Sequence, residues 1–198
     1  MNISVDLIKQ LREMTNAGVS DCKKALVEAK GNIEEAVKIL RKNGALKTIS
    51  RNSREVSEGW IGSYVHHNGR LASLLVLKCE TDFVARTDLF KDLAHSLAVQ
   101  VITSNPLYVS REDVPEDVIE KEKAIILEDK MFSGKNKDVQ DKILEGKLEK
   151  VFEEICLLEQ SFYKDGALKV SDVINEIASQ TGENIKVENF VRLELGNS

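Results

Sequence analysis

The chain has 198 residues, 42% of them hydrophobic and 31% charged, the balance of a folded globular protein rather than a disordered one. Its formal net charge of −5 argues against a sequence-independent hold on nucleic acid, which needs a concentrated basic face. The opening MNISVDLIKQLREMT lacks a signal peptide's basic start and unbroken apolar core, and no apolar run approaches the roughly 20 residues that span a bilayer, so no membrane partner and a cytoplasmic location are expected.

Residues 1–44 read as a three-helix bundle. Ser4 can cap a first helix whose Leu7, Ile8, Leu11 and Met14 form a stripe at helical spacing. The TNAG segment from Thr15 to Gly18 breaks it, and Ser20 is expected to cap a second helix with Cys22, Ala25, Leu26 and Ala29 inward. Gly31 ends that helix. Asn32 and Glu35 then form a capping-box pattern ahead of Ile33, Ala36, Val37 and Leu40, with Gly44 as the stop. Residues 45–57, ALKTISRNSREVS, are polar and basic and read as a linker.

The core expected over 58–198 begins with a hairpin. WIGSYVHH and RLASLLVLKC flank Asn68-Gly69, the pair favoured in a type I′ turn. The second strand is apolar on both faces, with Leu71, Leu75 and Leu77 on one and Ala72, Leu74 and Val76 on the other, the pattern of a central strand. From Thr87 or Asp88 the period changes to a helix carrying Leu89, Phe90, Leu93, Ala94, Leu97, Ala98 and Val101. Two charged helices over about 115–155, the first closed by Gly134 and the second interrupted by Gly146, predict a thinly apolar, projecting helical hairpin. Ser171 is expected to cap one more helix, ended by Gly182. A closing strand alternates Ile185, Val187, Val191, Leu193 and Leu195 with mostly polar residues, and is expected to pair with the first hairpin. The expected fold class is α+β: an N-terminal helical bundle, a small antiparallel sheet layered with helices, and the projecting hairpin.

Signatures of chemistry are missing. Cys22, Cys79 and Cys156 are too widely spaced for a zinc site and read as small buried apolar residues. His66 and His67, taken as neighbours on a strand, point to opposite faces, and His95 lies in mid-helix. No nucleophile elbow, phosphate loop or zinc-protease motif occurs. No metal, no cofactor and no covalent catalysis are expected, which leaves a binding protein.

One segment stands out, ETDFVAR, residues 80–86, at the exit of the most apolar strand. Two readings of it are open. Thr81 or Asp82 caps the next helix and Phe83 packs on the sheet; or Phe83 is an exposed wedge for a partner, with Asp82 acting on a charge beside it.

Four segments carry a family resemblance. LREMTNAGVSDCKKALVEAKGNIEEA, CETDFVAR, GSYVH, and LLEQSF followed later by VENFVRLELG span most of the chain. Taken in chain order they resemble the bacterial elongation factor Ts family. Asn16 stands where glycine is usual, Val19 where methionine is common, and Ser161 where proline is frequent. The resemblance implies a guanine-nucleotide exchange factor for elongation factor Tu, with the first bundle of the ubiquitin-associated (UBA) type. It implies that Thr81, Asp82, Phe83 and Val84 disturb the partner's magnesium site. Arg12, Val19 and Lys23 would contact the GTPase from the bundle, and His66 would touch it near its phosphate-binding region. The chain carries one core half where longer members carry two, so the resemblance implies a homodimer and a 2:2 complex. The competing reading is a UBA-type interaction module joined to an unrelated core.

Overall fold

The computed structural model describes residues 4–15, 19–128 and 136–196. The chain divides into two compact units, 1–54 and 55–198. In the first, α1 (Val5–Thr15), α2 (Val19–Glu28) and α3 (Ile33–Asn52) close around Leu11, Cys22, Ala25, Leu26 and Ala36, flanked by Leu7, Ile8, Ile33, Val37 and Leu40. Ser4 Oγ accepts the Leu7 N–H at 3.3 Å, the expected cap. Met14 departs from the expected stripe and is exposed; it lies in the last turn of α1. Ser20 lies inside α2, which starts at Val19, and residues 16–18, which precede it, fall outside the described residues. Beyond α2, Lys30 and Gly31 take left-handed φ angles of 52° and 87°, and the Gly31 N–H returns to the Leu26 carbonyl at 2.8 Å. Asn32 Oδ1 accepts the Glu35 N–H at 3.1 Å and starts the next helix. That helix does not stop at Gly44 but runs to Asn52. A single glycine costs a helix only about 1 kcal/mol, too little to end one.

In the second unit the order is β1 (Glu58–Val65), β2 (Leu71–Cys79), the one-turn α4 (Asp82–Ala85), α5 (Asp88–Ser104), α6 (Glu116–Leu127), α7 (Lys137–Ile155), the short strands β3 (Ser161–Phe162) and β4 (Asp165–Lys169), α8 (Val170–Thr181) and β5 (Lys186–Glu194). The main sheet is antiparallel in the order β1-β2-β5. The doubly apolar strand is therefore central, as its pattern predicts. Its residues Ser73, Leu75, Leu77 and Cys79 face inward. Phe90, Leu93, Ala94, Leu97 and Val101 of α5 pack on that face, joined by Val170, Ile174 and Ala178 of α8. Gly62 lets α5 lie close to β1, since a Cβ there would overlap the Ala94 carbonyl.

Two local departures change which residues meet. The hairpin turn is not type I′. His66 N–H bonds the Leu71 carbonyl at 2.8 Å and Gly69 N–H bonds the His66 carbonyl at 2.8 Å, and of the pair Asn68-Gly69 only the glycine has a positive φ, 67°. The loop is thus longer than two residues, and a type I′ turn would need positive φ at both. In β5, a bulge opposite Val76 and Leu77 pairs Val187 with Leu77 but Asn189 with Val76. The extra residue, Glu188, reverses the alternation. Val187 therefore packs with the core, and beyond the bulge Phe190 takes that side while Val191 and Leu193 turn to the opposite face.

The opposite face of the sheet carries Ile61, Val65, Leu74, Val191 and Leu193, all exposed. On the helical side of the unit, α6 packs along α7, and α7 runs through Gly146 without a break. The expected end of the first hairpin helix, near Phe132 and Gly134, lies outside the described residues. Arg111 fixes the base of the pair. Its guanidinium donates to both carboxylate oxygens of Glu149 at 2.6 Å and to Glu159 at 2.9 Å, and it stacks 4.9 Å over the Phe152 ring. Lys169 Nζ donates to Glu159 at 3.1 Å and to Glu153 at 3.3 Å.

Candidate partner-binding surface

The ETDFVAR segment leaves the end of the central strand as a tight turn. Thr81 is extended (φ −127°, ψ 154°) and caps α4, its Oγ1 accepting the Val84 N–H at 3.4 Å. The one-turn helix has two sides. Ala85 is buried and Val84 packs against the main core. Phe83 points the other way and is 81% exposed. Both halves of the sequence reading meet here: the threonine caps, and the phenylalanine is still outside. A single exposed apolar side chain is ordinary on a protein surface; what sets this one apart is the hydrogen-bonded turn that carries it.

Asp82 is half-buried and paired. Its Oδ2 lies 3.1 Å from the guanidinium of Arg86, one helical turn on. Such exposed pairs contribute little, about 0–1 kcal/mol, so the carboxylate can exchange partners cheaply.

The turn rests on Glu183 and Asn184, which no motif singled out. The Glu80 and Thr81 N–H groups donate to Glu183 Oε2 at 3.1 and 3.0 Å, and the Thr81 hydroxyl donates to Glu183 Oε1 at 2.6 Å. In return, Glu80 Oε1 accepts the Asn184 N–H at 2.6 Å. The buried Cys79 thiol donates to the Thr81 carbonyl at 3.2 Å. Burial, and after it the Glu183 carboxylate, pushes this thiol from 9.0 up to about 11, so it stays protonated and unreactive at neutral pH.

His66 sits half-buried at the other end of β2, with its Nδ1 3.1 Å from the Tyr64 hydroxyl. Nine residues of strand separate the two ends, roughly 25–30 Å, so His66 and Phe83 do not form one cluster. Because β1 ends at Val65, both His66 and His67 lie in the turn, with ring centroids 4.2 Å apart. The opposite-face argument drawn from strand geometry does not hold for them. His95 Nδ1 lies 3.1 Å from the Ser63 carbonyl. Among the described residues, no group of three or more His, Cys, Asp or Glu could hold a metal ion.

In the first unit, Arg12, Val19 and Lys23 are exposed. Lys23 borders a shallow depression of about 360 Å³ on α2, lined also by Ser20, Lys24, Val27 and Glu28. No helix of the described residues is long and apolar enough to cross a membrane.

The described residues thus present Phe83 from a hydrogen-bonded turn in the second unit and Arg12, Val19 and Lys23 from helices of the first. The family model "Elongation factor TS" matches residues 2–197, through both units. The chain is 56% identical over 196 residues to "Elongation factor Ts" of Thermotoga petrophila and of Thermotoga maritima, covering 99% of this chain and 98% of each relative. It is 50% identical to that of Fervidobacterium nodosum over 99% of this chain and all of the relative. The chain belongs to the elongation factor Ts family, a family of translation elongation factors.

Proposed function

We propose that the protein is a cytoplasmic nucleotide-exchange factor that binds elongation factor Tu in its GDP form and speeds GDP release by disturbing the magnesium and phosphate site. The observation that carries this is Phe83, a bare aromatic ring held over a capped turn at the end of the central strand. Its role is that of a wedge. A ring already fixed outside the core costs little entropy to dock and gains the burial it lacks in the free chain. Asp82 exchanges Arg86 for a charge on the partner, and Thr81 and Val84 hold the turn. Arg12, Val19 and Lys23 supply a second contact from the first unit, read as a UBA-like module, and His66 a third near the phosphates.

No covalent bond needs to form. The factor binds nucleotide-free partner more tightly than GDP-bound partner, and linkage then makes GDP weaken the factor's binding by the same ratio. Each tenfold in release rate needs about 1.4 kcal/mol off the barrier.

The functional unit in this reading is a homodimer in a 2:2 complex, with the open sheet face as the contact. Ile61, Val65, Leu74, Val191 and Leu193 lie across all three strands of that face, and an apolar patch of this kind favours a partner surface over water. The direct test loads elongation factor Tu with a fluorescent GDP and adds this protein. Release accelerated in proportion to protein concentration supports the reading, and release at the spontaneous rate refutes it.

A further inference from the structure

We infer that Glu183 is a positioning residue for nucleotide exchange: its carboxylate is the clamp that holds the Phe83 turn in its docking conformation. The inference rests on the reading of Phe83 as the wedge and adds the part that aims it. Glu183 follows the left-handed Gly182 at the end of α8 (φ 77°), and its carboxylate bonds Glu80 and Thr81 rather than Phe83 itself. It acts through the two residues at which the chain leaves β2. One carboxylate oxygen takes two successive backbone N–H groups, those of Glu80 and Thr81. The other takes the Thr81 hydroxyl hydrogen at 2.6 Å.

The hydroxyl bond sets the direction of the cap. A threonine hydroxyl has one hydrogen and two lone pairs. With the hydrogen committed to Glu183, a lone pair is left to receive the Val84 N–H, which is the bond that starts α4. Glu80 completes a reciprocal arrangement by accepting the Asn184 N–H. Four hydrogen bonds thus join two segments about a hundred positions apart in the chain, and they converge on the base of the turn that carries the exposed Phe83 ring. Charged acceptors make such bonds shorter and stronger than neutral ones. Without the carboxylate, the strand exit loses three of them, and Phe83 is no longer delivered in one orientation; misplacing a group by about 1 Å is enough for large losses in rate.

The test compares Glu183→Ala, Glu183→Gln, Phe83→Ala and the Glu183→Ala/Phe83→Ala double variant. Two readouts are used well below the unfolding temperature: fluorescent-GDP release from elongation factor Tu, and amide hydrogen exchange of the free proteins. Glu183→Ala is expected to slow exchange about tenfold, and to add nothing further once Phe83 is gone. Glu183→Gln keeps an oxygen for the two backbone donors and should recover part of the loss. The Glu80, Thr81 and Val84 amides should lose protection in Glu183→Ala, with α5 and α8 unchanged. A loss of activity that is equally large in the Phe83→Ala background, or protection lost throughout the unit, makes Glu183 a general stabiliser and overturns the inference. Unchanged activity and unchanged protection in Glu183→Ala, with Phe83→Ala impaired, overturns it while the wedge stands. If Phe83→Ala exchanges like the native protein, the wedge reading itself has failed and the positioning role falls with it, whatever the amides show.

Discussion

Adjacent residues of the central strand give opposite expectations. Leu75 is fully buried against the helices, and Leu74 is 47% exposed on the open face, between Ser63 and Val191 of the neighbouring strands. Leu75→Ala empties core volume and should cost about 2–5 kcal/mol, a large part of the roughly 5–15 kcal/mol that holds a domain folded. Leu74→Asp removes no core contact and should change the stability of a single copy by about 1 kcal/mol or less. In a dimer built on this face, however, it buries a carboxylate with no partner, at about 3–5 kcal/mol for each charge, and two-fold symmetry introduces two of them. Even one charge's worth, about 4 kcal/mol, raises the dimer Kd about a thousandfold. Sedimentation equilibrium over a range of concentrations, paired with thermal unfolding, separates these effects. The reasoning predicts a dimeric native protein, a folded monomer for Leu74→Asp, and a less stable protein for Leu75→Ala. A Leu74→Asp protein that remains dimeric, or a native chain monomeric at high concentration, refutes the assignment of this face.

Two further outcomes follow from the charges and thiols. Cys79 and Cys156 are both pushed up to about 11, chiefly by burial; the folded state therefore keeps protons that the unfolded chain releases above about pH 9, and the urea midpoint should fall as pH rises from about 9 through 11. Labelling of these thiols at about pH 8 should be no faster than opening of the structure, and immediate labelling would contradict their placement. Hydrogen bonds from Arg111 hold Glu149 and Glu159 below the usual carboxylate value of 4.5. Their contribution to stability is present above that value and is lost as pH falls through the lowered ones. Arg111→Ala should accordingly raise the pH of acid unfolding and lower the melting temperature by a few degrees, and an unchanged acid midpoint would show that the network at the hairpin base contributes nothing.

Periodicity carried the reading of this fold wherever one face of an element meets one neighbour. The apolar stripe of α5 and the two-faced β2 are such cases. It failed where a single residue changes the phase. The bulge at Glu188 sends Val187 inward and Val191 outward, although the sequence spaces them as one alternating set. Gly44 has the composition of a stop, yet the turns on either side outweigh one glycine. Strand geometry does not govern the histidine pair, because the strand ends at Val65, one residue before it. At the candidate surface, the capping threonine and the aromatic ring were legible because they are neighbours in sequence. The carboxylate that holds them was not. Glu183 lies about a hundred positions away, in a segment that reads only as the end of a helix, and nothing local marks a side chain whose partners are backbone groups of a distant turn. The only signal for it was the glycine before it, which turns the chain back toward the sheet.

Stopped-flow release of a fluorescent GDP from elongation factor Tu, driven by the native protein and by Phe83→Ala, bears most directly on the central claim. Phe83 is 81% exposed, so its truncation should leave the melting temperature within about 1 °C of the native value. About four-fifths of its burial is still available to a partner, roughly 1–2.5 kcal/mol by area, and a well-packed aromatic anchor can exceed that. The account predicts acceleration by the native protein and a loss of about tenfold or more in the variant, with the fold intact. A variant that accelerates release as the native protein does, or one that loses activity only because it has lost stability, would contradict it.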